Sequence, residues 1–242
     1  DEVFVADRGQ IFAQRLKMTL GELEKNDSEL FISVFTDTDR ASHMFLRLSD
    51  KSFPAYDAGL AKKYGGFIKQ TYLDMDRAIG LIQEKLNPGD TLIIMSDHGF
   101  HSFKRGFNTN TWLLKNGYLT LAEGKERKAS NSLIRGDVDW AKTKAYAYGT
   151  GQIYINKKGR ERDGPVPADQ ADALAREIAD KLKKVKDGSK KVFSNVYIGT
   201  DTYKGEMAAK RAPDLQLAFH EGFQNSRATS LGGIPKGLFS DN

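Results

Sequence analysis

Two short apolar runs on either side of a long helical stripe constrain this chain more than anything else in it. Leu30–Phe35 reads Leu-Phe-Ile-Ser-Val-Phe and Thr91–Met95 reads Thr-Leu-Ile-Ile-Met. Both have the length and β-branched content of a strand covered on both faces. Between them, Ile68, Tyr72, Met75, Ile79, Ile82 and Leu86 recur at helical steps within residues 58–86, and Asn87-Pro88-Gly89-Asp90 supplies the stop. Strand, helix, strand is the sequence form of a right-handed parallel crossover. The fold class expected is therefore α/β, a mostly parallel sheet flanked by helices.

The remainder reads in the same way. With Asp7 as a cap, Ile11, Leu16, Met18, Leu20 and Leu23 are spaced as a partly buried helix, ended by a polar turn over residues 25–28. A short helix is expected at Thr109–Lys115, strands at Ala145–Tyr148 and Gln152–Asn156, and a helix opened by Pro167 with Ala171, Leu174, Ile178, Leu182 and Val185 on its stripe. Val192–Ile198 and Asp214–Phe219 read as late strands. The whole is expected to be one α/β domain over residues 1–242, incomplete at both ends, with 145–219 as a smaller layer on it.

Composition narrows the chemistry. At 242 residues, with 39% hydrophobic against 29% charged, the chain has the balance of a soluble globular protein. It has no cysteine, so any metal must be held by carboxylate and imidazole. The net charge of +5 favours small anionic partners only mildly. Lys181, Lys183, Lys184, Lys186, Lys190 and Lys191 cluster about the end of a helix, where a solvated face is the simpler reading, so no stable nucleic-acid complex is expected. No apolar run reaches the roughly 20 residues of a membrane span.

In open α/β sheets, ligands bind beyond the carboxyl ends of the strands. Thr36-Asp37-Thr38-Asp39 follows the first apolar run and Ser96-Asp97-His98-Gly99 the second. Asp39 and His43 are four residues apart, on one side of a helical turn, and Asp97-His98 supplies the same two ligand types at a tight turn. Taken singly, Asp97-His98 is more simply a capped turn with a solvent-facing histidine, while Asp39 reads equally well as a helix cap and His43 as a satisfied histidine beneath the sheet edge. Two such pairs after two consecutive strands favour a common site. Zinc accepts this donor set, and manganese, iron and cobalt can use it.

Thr38-Asp39-Arg40-Ala41-Ser42-His43-Met44-Phe45 together with Ser96-Asp97-His98-Gly99-Phe100 resembles the type I phosphodiesterase and nucleotide pyrophosphatase family of the alkaline phosphatase superfamily. The likeness extends through Arg105–Leu113, Val138-Asp139-Trp140 and Gly232–Lys236. It implies an alkaline phosphatase-like fold and a site with two divalent metal ions, zinc foremost, acting on a small phosphate ester or nucleotide. Asp39 and His43 would serve one ion, Asp97 and His98 the other.

That family also uses a Thr or Ser nucleophile, an earlier aspartate and a late histidine, for which this sequence shows no matching motif. The expectation is thus a portion of a longer hydrolase whose nucleophile lies upstream of residue 1. His101 and His220 sit in no matching motif and are not taken as ligands. The competing readings are a non-catalytic anion-binding module of the same fold, or a related phosphomutase, sulfatase or phosphonate hydrolase. Compartment and oligomeric state are not legible.

Overall fold

A computed structural model describes residues 1–25 and 28–241, and the chain divides into two compact units, residues 1–102 and 103–242. The expected turn over 25–28 falls in part on residues 26 and 27, outside the described residues.

The first unit is helical. Helices α1 (Glu2–Leu23), α2 (Asp37–Phe45), α3 (Ala58–Tyr64) and α4 (Phe67–Gln83) gather around a small aromatic core. Phe45 is its centre, with ring centroids 5.7 Å from Phe4, 5.4 Å from Tyr64 and 5.0 Å from Phe67. Leu48, Leu60 and Ile68 complete the cluster.

Helix α1 starts nine residues before the expected Ile11, because Asp7 caps nothing. It lies inside the helix and pairs with Arg40 at 3.3 Å, while Phe4 and Val5 reach the core. The single helix expected over residues 58–86 is broken at Gly65-Gly66. A Cβ at Gly65 would lie 2.5 Å from the Ala61 carbonyl oxygen, so glycine fits where α3 ends and the chain restarts as α4. On α4 the buried positions are Thr71 and Ala78, and Tyr72, placed on the stripe by periodicity, faces solvent.

The parallel crossover is the main correction. Leu30–Phe35 and Thr91–Met95 carry no strand assignment among the described residues. A strand exists only as one rail of a ladder, and no described residue exchanges backbone hydrogen bonds with either run. Their side chains are open to solvent, with Ile32 75%, Val34 60%, Ile93 76% and Met95 84% exposed.

The second unit is α/β. Its elements are β1 (Arg105–Phe107), α5 (Thr109–Lys115), β2 (Ala145–Tyr148), β3 (Gln152–Ile155), α6 (Ala171–Leu182), β4 (Lys186–Asp187), β5 (Lys190–Lys191), β6 (Phe193–Ile198), α7 (Gly199–Thr202), α8 (Glu206–Arg211), β7 (Leu215–Phe219), β8 (Phe223–Asn225), α9 (Arg227–Ser230) and β9 (Phe239–Asp241).

Strands β2-β3-β7-β6 form an antiparallel sheet, drawn from residues 145–219. Its alternating inward residues, among them Ala145, Ile153, Leu215 and Val196, pack on the Ala171, Ala175, Ile178 and Leu182 stripe of α6. A second sheet, β8-β1-β9, is mixed, with β1 parallel to β8 and antiparallel to β9. The sheets are thus mixed and antiparallel rather than mostly parallel. Tight turns make this possible, as at Gly188 between β4 and β5, where the backbone takes φ 59°.

Buried polar side chains fasten α5 to this unit. Thr109, Asn110 and Thr111 are fully buried. Asn110 copies a strand edge: its Nδ2 donates to the Ala147 carbonyl at 2.9 Å and its Oδ1 accepts from the Ala147 amide at 2.8 Å. The Thr109 hydroxyl and Asn225 Oδ1 lie 2.7 Å apart, and the Thr111 hydroxyl donates to the Pro235 carbonyl. Asn110→Ala should therefore destabilise the protein by about 2–4 kcal/mol, since it leaves a buried amide and carbonyl unsatisfied. Chemical denaturation reads this, and an unchanged midpoint would refute it.

Candidate metal centre

Helix α2 carries half of the proposed constellation. Thr36 is its N-cap residue, and Asp37 and Asp39 occupy the first turn, where the positive end of the helix dipole favours carboxylates. Ala41, Ser42 and Phe45 face the core, so Asp39 and His43 are left on the outer side. One helical turn brings His43 Nε2 to 3.4 Å from Asp39 Oδ1.

The segment after Thr91–Met95 supplies the other half. The Ser96 hydroxyl donates to the His98 carbonyl at 2.6 Å, which closes a short turn. His98 Nδ1 lies 3.0 Å from the Gly99 carbonyl. A carbonyl can only accept, so Nδ1 is the donor in this contact and Nε2 is the nitrogen that faces the carboxylates. That nitrogen lies 3.7 Å from Asp39 Oδ1 and 3.6 Å from Asp97 Oδ2.

The four residues therefore form a chain of neighbours in the order His43, Asp39, His98, Asp97. Both imidazoles also meet Phe100, whose ring centroid is 4.9 Å from His43 and 5.3 Å from His98. All four polar side chains are well exposed, Asp97 most of all at 88%. His101 and His220 are both exposed.

The donor set suits a divalent cation. Zinc bonds of about 2.0–2.1 Å place tetrahedral ligand atoms roughly 3.4 Å apart, the scale of the separations found here. Among the described residues, however, no three or more His, Asp or Glu side chains stand together as a metal-holding group. The arrangement consists of pairwise contacts.

Beneath α2 lies an ion cluster that its polar sequence did not reveal. Arg8 of α1 is 5% exposed, with Nε 3.0 Å from Asp37 Oδ1 and Nη1 2.7 Å from Asp74 Oδ2. Burial pushes the Asp37 carboxyl up from its ordinary range, against the pull of Arg8 and Arg40. Asp74 is desolvated too, yet hydrogen bonds from Arg8 and Gln70 hold its carboxyl below that range. The available signal was a lone arginine three and four residues from Val5, Phe4, Ile11 and Phe12, on the inner side of α1.

The other sequence matches lie in the second unit and brace it. Arg105 pairs with Asp187 at 2.7 Å and Asp241 at 2.6 Å, while Ile234 is fully buried. Trp140 packs edge-on against Tyr146 at 5.3 Å. No described helix is long and apolar enough to cross a membrane.

Comparison with known proteins gave one assignment. The type I phosphodiesterase / nucleotide pyrophosphatase family model matches residues 6–233, through both units. No match was found among curated proteins or among solved structures. A phosphate ester or nucleotide fits the family as substrate, and the family is typically metal-dependent. Its match over most of the sequence, together with the Asp-His pairs and their spacing, makes this chain a member of the type I phosphodiesterase / nucleotide pyrophosphatase family, hydrolases of phosphodiester and pyrophosphate bonds.

Proposed function

We propose that Asp39, His43, Asp97 and His98 hold two divalent metal ions, zinc foremost, in a hydrolase of phosphate diesters or nucleotide pyrophosphates. The observation that carries this reading is the run of 3.4–3.7 Å contacts joining the two Asp-His pairs. Ions held there would supply Lewis-acid stabilisation of phosphoryl oxygens and favour ionisation of an attacking hydroxyl. The carboxylates of Asp39 and Asp97 bring the negative charge that attracts them, and the Gly99 carbonyl keeps the His98 ring turned for ligation.

The attacking Thr or Ser comes from outside residues 1–242. In support, the nearby Ser96 hydroxyl is engaged with the His98 carbonyl, and Thr36 and Thr38 lie in the opening turn of α2. Continuity of the family match across both units supports reading them as parts of one α/β domain.

Hydrolysis of bis(p-nitrophenyl) phosphate tests the proposal. Residues 1–242 should show little turnover, whereas a longer chain from the same gene that supplies the hydroxyl should turn over and lose activity with a chelator. Chelator-sensitive turnover by residues 1–242 alone would instead place the nucleophile at Thr36, Thr38 or Ser96. A longer chain that binds phosphate without turnover would favour the anion-binding module.

Metal affinity gives a separate check. Two protein ligands per ion, where a catalytic zinc site has three, should give zinc dissociation constants of roughly micromolar or weaker. Tight two-site binding in calorimetry would contradict this.

A further inference from the structure

Resting on the metal reading above, we infer that Phe100 is a positioning residue, its ring setting the orientation of both imidazoles that bind the ions. Phe100 stands in the same turn as His98 and reaches across to His43 on α2. It is therefore the aromatic side chain that meets one imidazole from each Asp-His pair. The ring planes cross at 86° against His43 and 62° against His98, edge-to-face arrangements in which the positive edge of one ring meets the negative face of the other.

The two imidazoles depend on it unequally. His98 has a second restraint in the Gly99 carbonyl at 3.0 Å. His43 is exposed, and its contacts are the Asp39 carboxylate and the Phe100 ring. An imidazole free to turn about its side-chain bonds must lose that freedom on ligation. Phe100 removes it beforehand and keeps Nε2 turned toward Asp39. It acts through the ligands and touches no substrate. Half-buried at the surface, it can be replaced without opening the Phe45 core.

Two measurements on the 242-residue chain test this. Cobalt(II) titration, followed by visible absorption, compares the native chain with Phe100→Ala, Phe100→Leu and Phe100→Tyr, with Asp97→Ala as the ligand-loss control. Phe100→Ala and Phe100→Leu should weaken cobalt binding about tenfold, the effect of losing a group that orients a ligand, and Phe100→Tyr should restore it. In the metal-free chain, the ring protons of both histidines should shift in Phe100→Leu as the aromatic ring current is lost, and return in Phe100→Tyr. Cobalt affinity and imidazole resonances unchanged in Phe100→Leu would overturn the proposal while leaving the metal reading intact. Failure of the native chain to bind cobalt, or binding indifferent to Asp97→Ala, would remove the metal reading and the proposal with it.

Discussion

Arg8→Met should destabilise the first unit by about 3–5 kcal/mol at neutral pH, because it strips the cation from two poorly solvated carboxylates while keeping the length of the side chain. Arg8 ties α1 to Asp37 of α2 and Asp74 of α4, so the loss is felt by the helix that carries Asp39 and His43. The pH dependence has a definite sign. In the native chain Asp74 is held low, so its contribution is present above about pH 4 and is lost as pH falls through its folded value. Asp37 is pushed up, so its contribution is present at low pH and is lost as pH rises through its folded value. Without Arg8 both carboxyls move upward, and stability falls as pH rises through the carboxylate range. The gap between native and variant chains should thus be widest near pH 7 and shrink toward pH 3. Urea unfolding across that range measures it, and a gap independent of pH would exclude the ion cluster as its cause.

The second large effect is catalytic. In the longer chain that turns over a phosphodiester, Asp39→Ala should lower kcat/KM by about a thousandfold or more, the scale of losing a charged group that organises the transition state. Asp39 is the residue common to both imidazoles, 3.4 Å from His43 and 3.7 Å from His98, so its removal disturbs both Asp-His pairs. Its side chain is 43% exposed on the outer side of α2, and its loss from the first turn should cost only about 0.3–1 kcal/mol of stability. Near-native turnover in Asp39→Ala would sink the proposed centre. Lost turnover accompanied by unfolding would mean that Asp39 serves the helix rather than the reaction.

How far these features were legible in the sequence depended on whether the physics was local. The 3.6-residue period placed α6 and its stripe, and the residues of α5, β2 and β7 lay close to where propensity and apolar runs put them. Two adjacent glycines outweighed the long period across α3 and α4, and an aspartate that resembled a cap lay inside α1. Leu30–Phe35 and Thr91–Met95 have the composition of strands, but composition cannot supply the neighbouring rail that makes one. The spacing of Asp39, His43, Asp97 and His98, the proposed ligands, was visible because a helical repeat and a dipeptide fix it. The contacts of Phe100 and Arg8 were not, since a ring meeting two imidazoles and a cation between two helices arise only from tertiary packing.

The open apolar runs also bear on the chain's colloidal behaviour. Leu-Phe-Ile-Ser-Val-Phe has no charge, proline or glycine, and Thr-Leu-Ile-Ile-Met is little different. Such segments, with free backbone edges, are the kind that stack between molecules into cross-β fibrils. What opposes stacking here is exposed acid at the borders, Glu29 before the first run and Asp90 and Asp97 around the second. These carboxylates act as gatekeepers, repelling an identical neighbour in register. On the metal reading proposed above, a cation bound at Asp97 would cancel the charge that keeps the second run from self-association. Filling the proposed centre and keeping the protein dispersed would then pull in opposite directions at one side chain.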